Sequence, residues 1–272
     1  MVRHLLLVIC LIFSRLVLAA SLEGARFETD QMVISLRADP SCPMSCDPSS
    51  PFPGYVIEMA RAIYEPQGFQ IDYQSTSWER LSRDFESGQI DIAVGVASSE
   101  LSESLKTPAP IGWFSPAFAK LRGSAWHWTN DPSAALQGQE IGAVPGRHVP
   151  FLLRTIFDPA SRTGAVFPLR MADSLSSGLR MLQQHRITLL LGDQRALDWG
   201  IRMAGGGPTL EIVPLSEPPI PLFLAFTLAP LRQERSHILL GLWTDGLAHL
   251  RTTGELSRIL ARYGLQESQV MP

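Results

Sequence analysis

From Pro53 to Ser98 the chain reads PGYVIEMARAIYEPQGFQIDYQSTSWERLSRDFESGQIDIAVGVAS. Val56, Met59, Ala60 and Ile63 fall at i, i+3, i+4 and i+7, so the segment after Gly54 predicts a helix with one apolar stripe, ended by Pro66 and Gly68. Phe69, Ile71 and Tyr73 alternate with polar neighbours as in a half-buried strand. Trp78, Leu81 and Phe85 return to helical spacing up to Gly88, and a second strand is expected over Ile90 to Val94. Helix, strand, helix and strand with short joints predict an α/β fold with a parallel sheet. In such sheets ligands sit beyond the carboxyl ends of the strands, which singles out the loop from Gly95 to Ser99 and, within it, Ala97 and Ser98.

The same residues carry a resemblance. Pro53-Gly54-Tyr55, the amphipathic helix, Gly68 to Tyr73, Trp78-Glu79-Arg80 and Gly88 to Gly95 follow one another as in the extracellular solute-binding proteins of the amino-acid-binding branch. The resemblance implies two Rossmann-like lobes joined by a hinge of two crossovers, closing over a small molecule that passes to the membrane subunits of an ABC importer. It makes Trp78 and Arg80 candidate ligand contacts at the start of the second helix. By spacing alone, Trp78 also reads as core beside Leu81 and Phe85, and Arg80 as a solvated helix charge. Relatives that bind α-amino acids carry T-x-x-R after the strand, whose Arg grips the carboxylate in a bidentate fork. Here the run is Ser98-Ser99-Glu100-Leu101, with Leu101 in place of the Arg.

Toward the amino end, residues 1–20 read as a cleaved signal peptide. Arg3 and His4 precede the apolar run Leu5 to Phe13, Arg15 keeps that run well below the roughly 20 residues of a membrane span, and the small residues Ala19 and Ala20 offer two cleavage points. A strand is expected within Glu28 to Asp39, from the alternation of Met32, Ile34 and Leu36 with Val33, Ser35 and Arg37. The loop SCPMSCDPSSPFPG, 41–54, holds Cys42 and Cys46, the two cysteines of three that outlast removal of Cys10. After export a disulfide is the expected state and two free thiols the alternative; closing so short a loop contributes about 2 kcal/mol. A branch of the resembling family has a similar Cys-Pro-aromatic-x-Cys loop at the mouth of its ligand cleft, with aromatics where this chain has Ser41 and Met44.

Toward the carboxyl end, Thr107 to Gly123 is rich in proline and aromatics, and the resemblance places a crossover near Phe118 to Arg122. Trp126 and Trp128 follow as lobe packing or ligand contacts. The run ALQGQEIGAVPGRHVPFLLRTIF, 135–157, resembles the start of the second lobe: strand Glu140 to Val144, a turn at Pro145-Gly146, then a helix. A glycine turn feeding a helix amino end favours an anion, which makes Gly146 and Arg147 candidates; a solvated charge is the other reading of Arg147. Ala172 to His185 reads as helix and Ile187 to Leu191 as a buried strand that leads into Asp193. The resembling family often uses an Asp here for a ligand ammonium, and Asp193 also reads as the cap of a helix from Arg195 to Met203. Strand Leu222 to Thr227 would return the chain to the first lobe. Arg232 to Leu250 forms a long helix, Thr252 and Glu255 a capping box, and Gly264 a stop. WTDGLAHLRTTGELSRILARYGL, 243–265, resembles the family's terminal signature. The expected lobes are 28–119 with 221–264, and 122–216.

Formal net charge is −3, from 23 basic and 26 acidic residues, and no basic cluster suits nucleic acid. No cofactor or metal is expected, and no Gly-x-Ser-x-Gly or close carboxylate pair speaks for catalysis. The expectation is a monomeric periplasmic protein that binds a small polar solute, an amino acid or related zwitterion, for import. The alternatives are a sensor module, or a periplasmic lyase or dehydratase on the same fold. Exported protein should lack its first 19 or 20 residues and contain no alkylatable thiol until reduced, which intact mass with and without reduction reads directly.

Overall fold

The computed structural model describes residues 32–129, 131–143, 169–171, 175–205 and 207–271. The alternation expected after Pro53 is observed. Strand β1 (Val33–Ala38) is followed by α1 (Tyr55–Tyr64), which buries Val56, Met59, Ala60 and Ile63 and ends in a short turn at Gly68, φ 89°. β2 (Gln70–Ser75), α2 (Trp78–Glu86) and β3 (Ile92–Ala97) complete the unit, and α2 buries Leu81 and Phe85. β3 starts two residues later than its sequence pattern suggests and absorbs Gly95 to Ala97, which had read as loop. Its pairing with β1 opens where Asp91 N donates to Ser35 O at 3.0 Å and continues with Ile92 opposite Leu36.

The first sheet has the order β2-β1-β3-β11-β4, with β5 also on β11. β1, β2 and β3 are parallel, whereas β11 (Ile220–Thr227) runs antiparallel to β3, so the sheet is mixed rather than all parallel. The reversal follows from the route of the chain, since β11 arrives from the other lobe and must enter at the crossover end. β4 (Ser104–Lys106) and β5 (Gly112–Phe114) both pair with it. The second sheet has the order β10-β6-β9-β7-β8, from β6 (Pro116–Leu121), β7 (Ile141–Ala143), β8 (Leu169–Met171), β9 (Leu189–Asp193) and β10 (Leu210–Pro214). The change of sheet therefore falls at Ser115, upstream of Phe118 to Arg122, because Pro116 to Lys120 already pair with Asp193 to Leu189. The chain returns between Pro214 and Ile220.

Each sheet has its own helices. On one face of the first sheet, α1 packs with α6 (Gln233–Thr252) and α7 (Glu255–Arg262); on the other, Leu81 and Phe85 of α2 meet Ala93, Val96 and Ala225. In the second sheet, α4 (Leu175–Gln183) and α5 (Gln194–Met203) bury Leu179, Leu182, Leu197 and Ile201 against β6 and β9. The opposite face takes Leu136 of the short α3 (Pro132–Leu136), together with Trp126 and Trp128 on Phe118. Thr252 and Glu255 form no capping box. Gly254, with φ 75°, occupies the cap position of α7, and the Thr252 hydroxyl donates to His249 O. A left-handed residue there turns the chain sharply between two helices that must both lie on the same core.

The amino ends of β1 and β3 are joined to α6 through one buried carboxylate. Asp91 is 3% exposed; its Oδ2 accepts from Ser35 N and Ser35 Oγ, each at 2.9 Å. Its Oδ1 accepts from Arg235 Nε at 3.0 Å and Arg232 Nη1 at 3.3 Å, and Arg235 also donates to Val33 O at 2.7 Å. Removing one partner of such an arrangement leaves uncompensated buried charge and costs about 3–5 kcal/mol. Asp91→Ala should lower unfolding free energy by about 3 kcal/mol or more in urea titration.

Candidate functional site

β2, β1 and β3 lie side by side; β1 and β2 end level, with Ala38 opposite Ser75, while β3 passes Ala38 at Val94 and runs on to Ala97. The loops that follow them therefore leave from one edge. The first is the loop after β1, where Cys42 and Cys46 form a disulfide with Cα atoms 4.7 Å apart. Backbone bonds hold it down: Cys46 N donates to Pro53 O at 2.8 Å, Tyr55 N to Pro43 O at 3.0 Å, and Tyr73 Oη to Cys46 O at 2.6 Å. Gly54 is required beneath it, because its φ is 118° and a Cβ there would stand 2.3 Å from Met44 O.

Asp193 ends β9 in the second sheet. Its Oδ1 accepts from Ser115 N at the crossover, 2.7 Å, and its Oδ2 from Arg195 N and Ala196 N at 3.1 and 3.0 Å. The cap and the strand-end position expected from sequence are thus the same carboxylate. Burial pushes the Asp193 carboxyl above the usual carboxylate range, against the backbone N–H bonds and the Arg195 charge that pull it down. Arg195 stands beside it and donates through Nη1 to Trp113 O at 2.9 Å and through Nη2 to Gln269 O.

These groups face one another across the gap between the lobes. Cys42, Pro43, Trp113, Phe114, Asp193 and Arg195 line a cavity of about 10 Å³, with Tyr55 and Leu222 behind them. That is space for about one water. A wider open depression of about 430 Å³ lies between α1, α7 and the loop residues Ser50, Pro51 and Pro53.

The structure brings Cys42 and Asp193 together and leaves Trp78, Arg80, Ala97 and Ser98 outside this cavity. Trp78, at the first turn of α2, packs beside Leu81 and Phe85 along with Leu101. Arg80 is 71% exposed and pairs with Asp84 at 3.5 Å along its own helix. Ala97 donates its N–H to Glu100 Oε2 at 2.8 Å, and Ser98 is exposed just beyond it. Gly146 and Arg147 lie outside the described residues. Trp113, Phe114 and Arg195 were not singled out among the first candidates. The signal for the aromatic pair was its place in the proline-rich crossover; Arg195 had none, since a helix arginine is ordinary.

The profile of the bacterial extracellular solute-binding proteins, family 3, matches residues 33–266. The chain belongs to this family. No curated protein sequence matches it. Among solved structures, this solute-binding protein is similar to an ABC uptake transporter substrate-binding protein from Streptococcus pneumoniae with bound histidine, at 14% identity and TM-score 0.67 over 86% of this chain and 93% of that one. An ancestral arginine-binding protein bound to glutamine is similar at 14% identity and TM-score 0.64, over 85% and 97%. A histidine kinase sensor domain with similarity to periplasmic binding proteins reaches 21% identity and TM-score 0.61, over 85% and 95%. At these identities the likeness is one of fold: two lobes, with the gap between them where this solute-binding protein places Asp193. The family implies a small-molecule ligand and ABC-transporter membrane partners.

Two glycines separate strain from crowding around the cleft loop. Gly138 also has a positive φ, 74°, but a Cβ there meets nothing within 4 Å. Gly138→Ala should cost about 1 kcal/mol of unfolding free energy and Gly54→Ala clearly more, about 2–3 kcal/mol, in paired denaturation experiments.

Proposed function

We propose that this protein captures a small polar solute carrying a charged amine, an amino acid or related zwitterion, between its lobes, and delivers it from the periplasm to the membrane subunits of an ABC importer. The observation that carries this reading is Asp193, a carboxylate held by three backbone N–H groups in the wall of the gap. Trp113 and Phe114 line the same cavity, and aromatic rings there suit the same cation. On the sequence reading, Arg147 and the N–H groups near Gly146 meet the solute's carboxylate, the role for which the first lobe carries Leu101. Closure follows from the solute binding the closed arrangement better than the open one. The protein acts here by binding, without catalysis. A second reading, a sensor module reporting occupancy, draws support from the likeness to a histidine kinase sensor domain. Gene order discriminates the two: permease and ATPase genes beside this one would favour import, and an isolated gene would leave the sensor reading open.

The test is a thermal-shift screen of amino acids, polyamines and small organic acids, because solute at a hundredfold its Kd adds about 2.7 kcal/mol of stability. Asp193→Asn retains a helix cap but has one acceptor oxygen where the carboxylate has two, so its unliganded stability is measured alongside. A charge-assisted contact contributes about 1.5–3 kcal/mol, so Asp193→Asn and Arg147→Ala should each weaken the strongest solute by about one to two orders of magnitude. If both keep wild-type affinity, the site lies elsewhere.

A pH series gives an independent check. The Asp193 pKa is raised in the unliganded protein, and a bound ammonium favours the ionised form, so protons compete with the solute. Affinity should hold above that raised pKa and fall as pH drops through it, by up to about tenfold per unit. A flat acid limb in calorimetric titration would remove Asp193 from the site.

A further inference from the structure

Helix α5 carries the cleft residues Asp193 and Arg195 at its amino end and belongs to the second sheet, yet its outer face is docked on the first lobe. Trp199 is 8% exposed and is part of the first lobe's core cluster, with its ring 5.6 Å from Phe52 and 5.4 Å from Tyr263. One turn on, Arg202 donates from Nη2 to Tyr263 O at 3.0 Å and lies over the Trp199 ring at 5.5 Å. It comes so close to the chain that a Cβ on Gly264 would stand 2.1 Å from Arg202 Nη1. At the other end of the helix, Arg195 donates to Gln269 O.

Tyr263 O, Gly264 and Gln269 O all belong to the stretch that leaves α7. This stretch is anchored in the first lobe. Leu265, Val270 and Met271 are buried in its core, Arg251 pairs with Glu267, and Gln266 and Gln269 form a capping box around α8 (Glu267–Val270). Its carbonyls are therefore fixed acceptors, and α5 reaches them with two guanidinium groups and an inserted indole.

We propose that residues 263–271 are a strap, a third and non-covalent connection beside the two covalent crossovers, that holds α5 and the Asp193–Arg195 wall in the closed position. The cavity that accompanies these contacts is about 10 Å³, space for about one water, so the strap acts on the closed arrangement. Opening the cleft moves α5 away from the first lobe, which breaks the Arg195–Gln269 and Arg202–Tyr263 bonds and withdraws Trp199 from its contacts with the Phe52 and Tyr263 rings. The strap thus regulates the site of the proposed binding function and rests on that reading for its purpose. Its closed bias does not depend on which solute binds.

The test is made without solute. Spin labels at Glu79→Cys and Gln184→Cys, both exposed and one on each lobe, report lobe separation in the full chain as a distance distribution. Three backgrounds are compared: wild type, Arg202→Met, and a chain ending at Gly264. Arg202→Met alters a surface side chain and keeps the fold, whereas the shortened chain loses buried Leu265, Val270 and Met271 and is scored only if its circular dichroism and cooperative unfolding persist. The expected result is one narrow, short-distance population in wild type and a second, longer one, about a tenth of molecules or more, in Arg202→Met. A larger long-distance share is expected in the shortened chain. An unchanged distribution in Arg202→Met, with wild type already narrow and short, overturns the strap, as does a wild type that is predominantly long-distance. Failure of every solute to bind leaves these distances standing and counts against the binding reading alone.

Discussion

The Asp193 carboxylate is shared between the first crossover and the first turn of α5, and the relation of the two lobes depends on it. One oxygen takes Ser115 N at the point where the chain changes sheets; the other takes two N–H groups at the start of the helix. A charge buried this far persists only where donors surround it, and here the donors belong to backbone on both sides of the hinge. The demand for hydrogen bonds therefore aligns β9 with β6, starts α5 in a set direction, and leaves the carboxylate in the wall of the gap. In the proposed function, the same carboxylate also meets the ligand cation.

The Asp91 network and the proposed binding gap occupy opposite ends of the first sheet. At the amino ends of β1 and β3, Asp91 gathers Ser35, Arg232 and Arg235 into a closed set of ionic hydrogen bonds. At the carboxyl ends the chain instead makes loops: the disulfide loop after Ala38, a two-residue joint after Ser75 and the Ser98–Glu103 turn. The disulfide loop is held by backbone bonds to Pro53 and Tyr55 rather than by apolar contact alone, which suits a surface that must keep its shape while facing a changing gap.

The aromatic residues divide by neighbourhood, not by kind. Trp126 and Trp128 stack on Phe118 within the second lobe, and the Trp126 indole N–H donates to Ala135 O. Trp243 fills the first core beside Tyr64. Trp199 contacts the Phe52 and Tyr263 rings and joins the lobes, and Trp113 faces the cleft. A tryptophan in a sequence announces a large apolar face with one donor; which surface receives that face is set by elements far away in the chain.

Much of the fold was legible in the sequence because it is local. The apolar stripe of Val56, Met59, Ala60 and Ile63, the alternation around Ile34 and Leu36, and the stops at Gly68 and Gly264 each depend on a few neighbouring residues. Their order carried the family resemblance, and Asp193 could be read as both strand end and cap from its immediate context. Other features needed residues far apart to meet. β11 runs against β3 because it returns from the other lobe, β6 joins the second sheet through a ladder with β9, and Gly254 replaces the expected capping box because two helices share one core. Trp113 and Arg195 become cleft residues only when the crossover, α5 and the last turn of the chain converge. Periodicity records which face of an element is buried; only the tertiary structure decides which distant element covers it, and the wall of the cleft is made of such distant meetings.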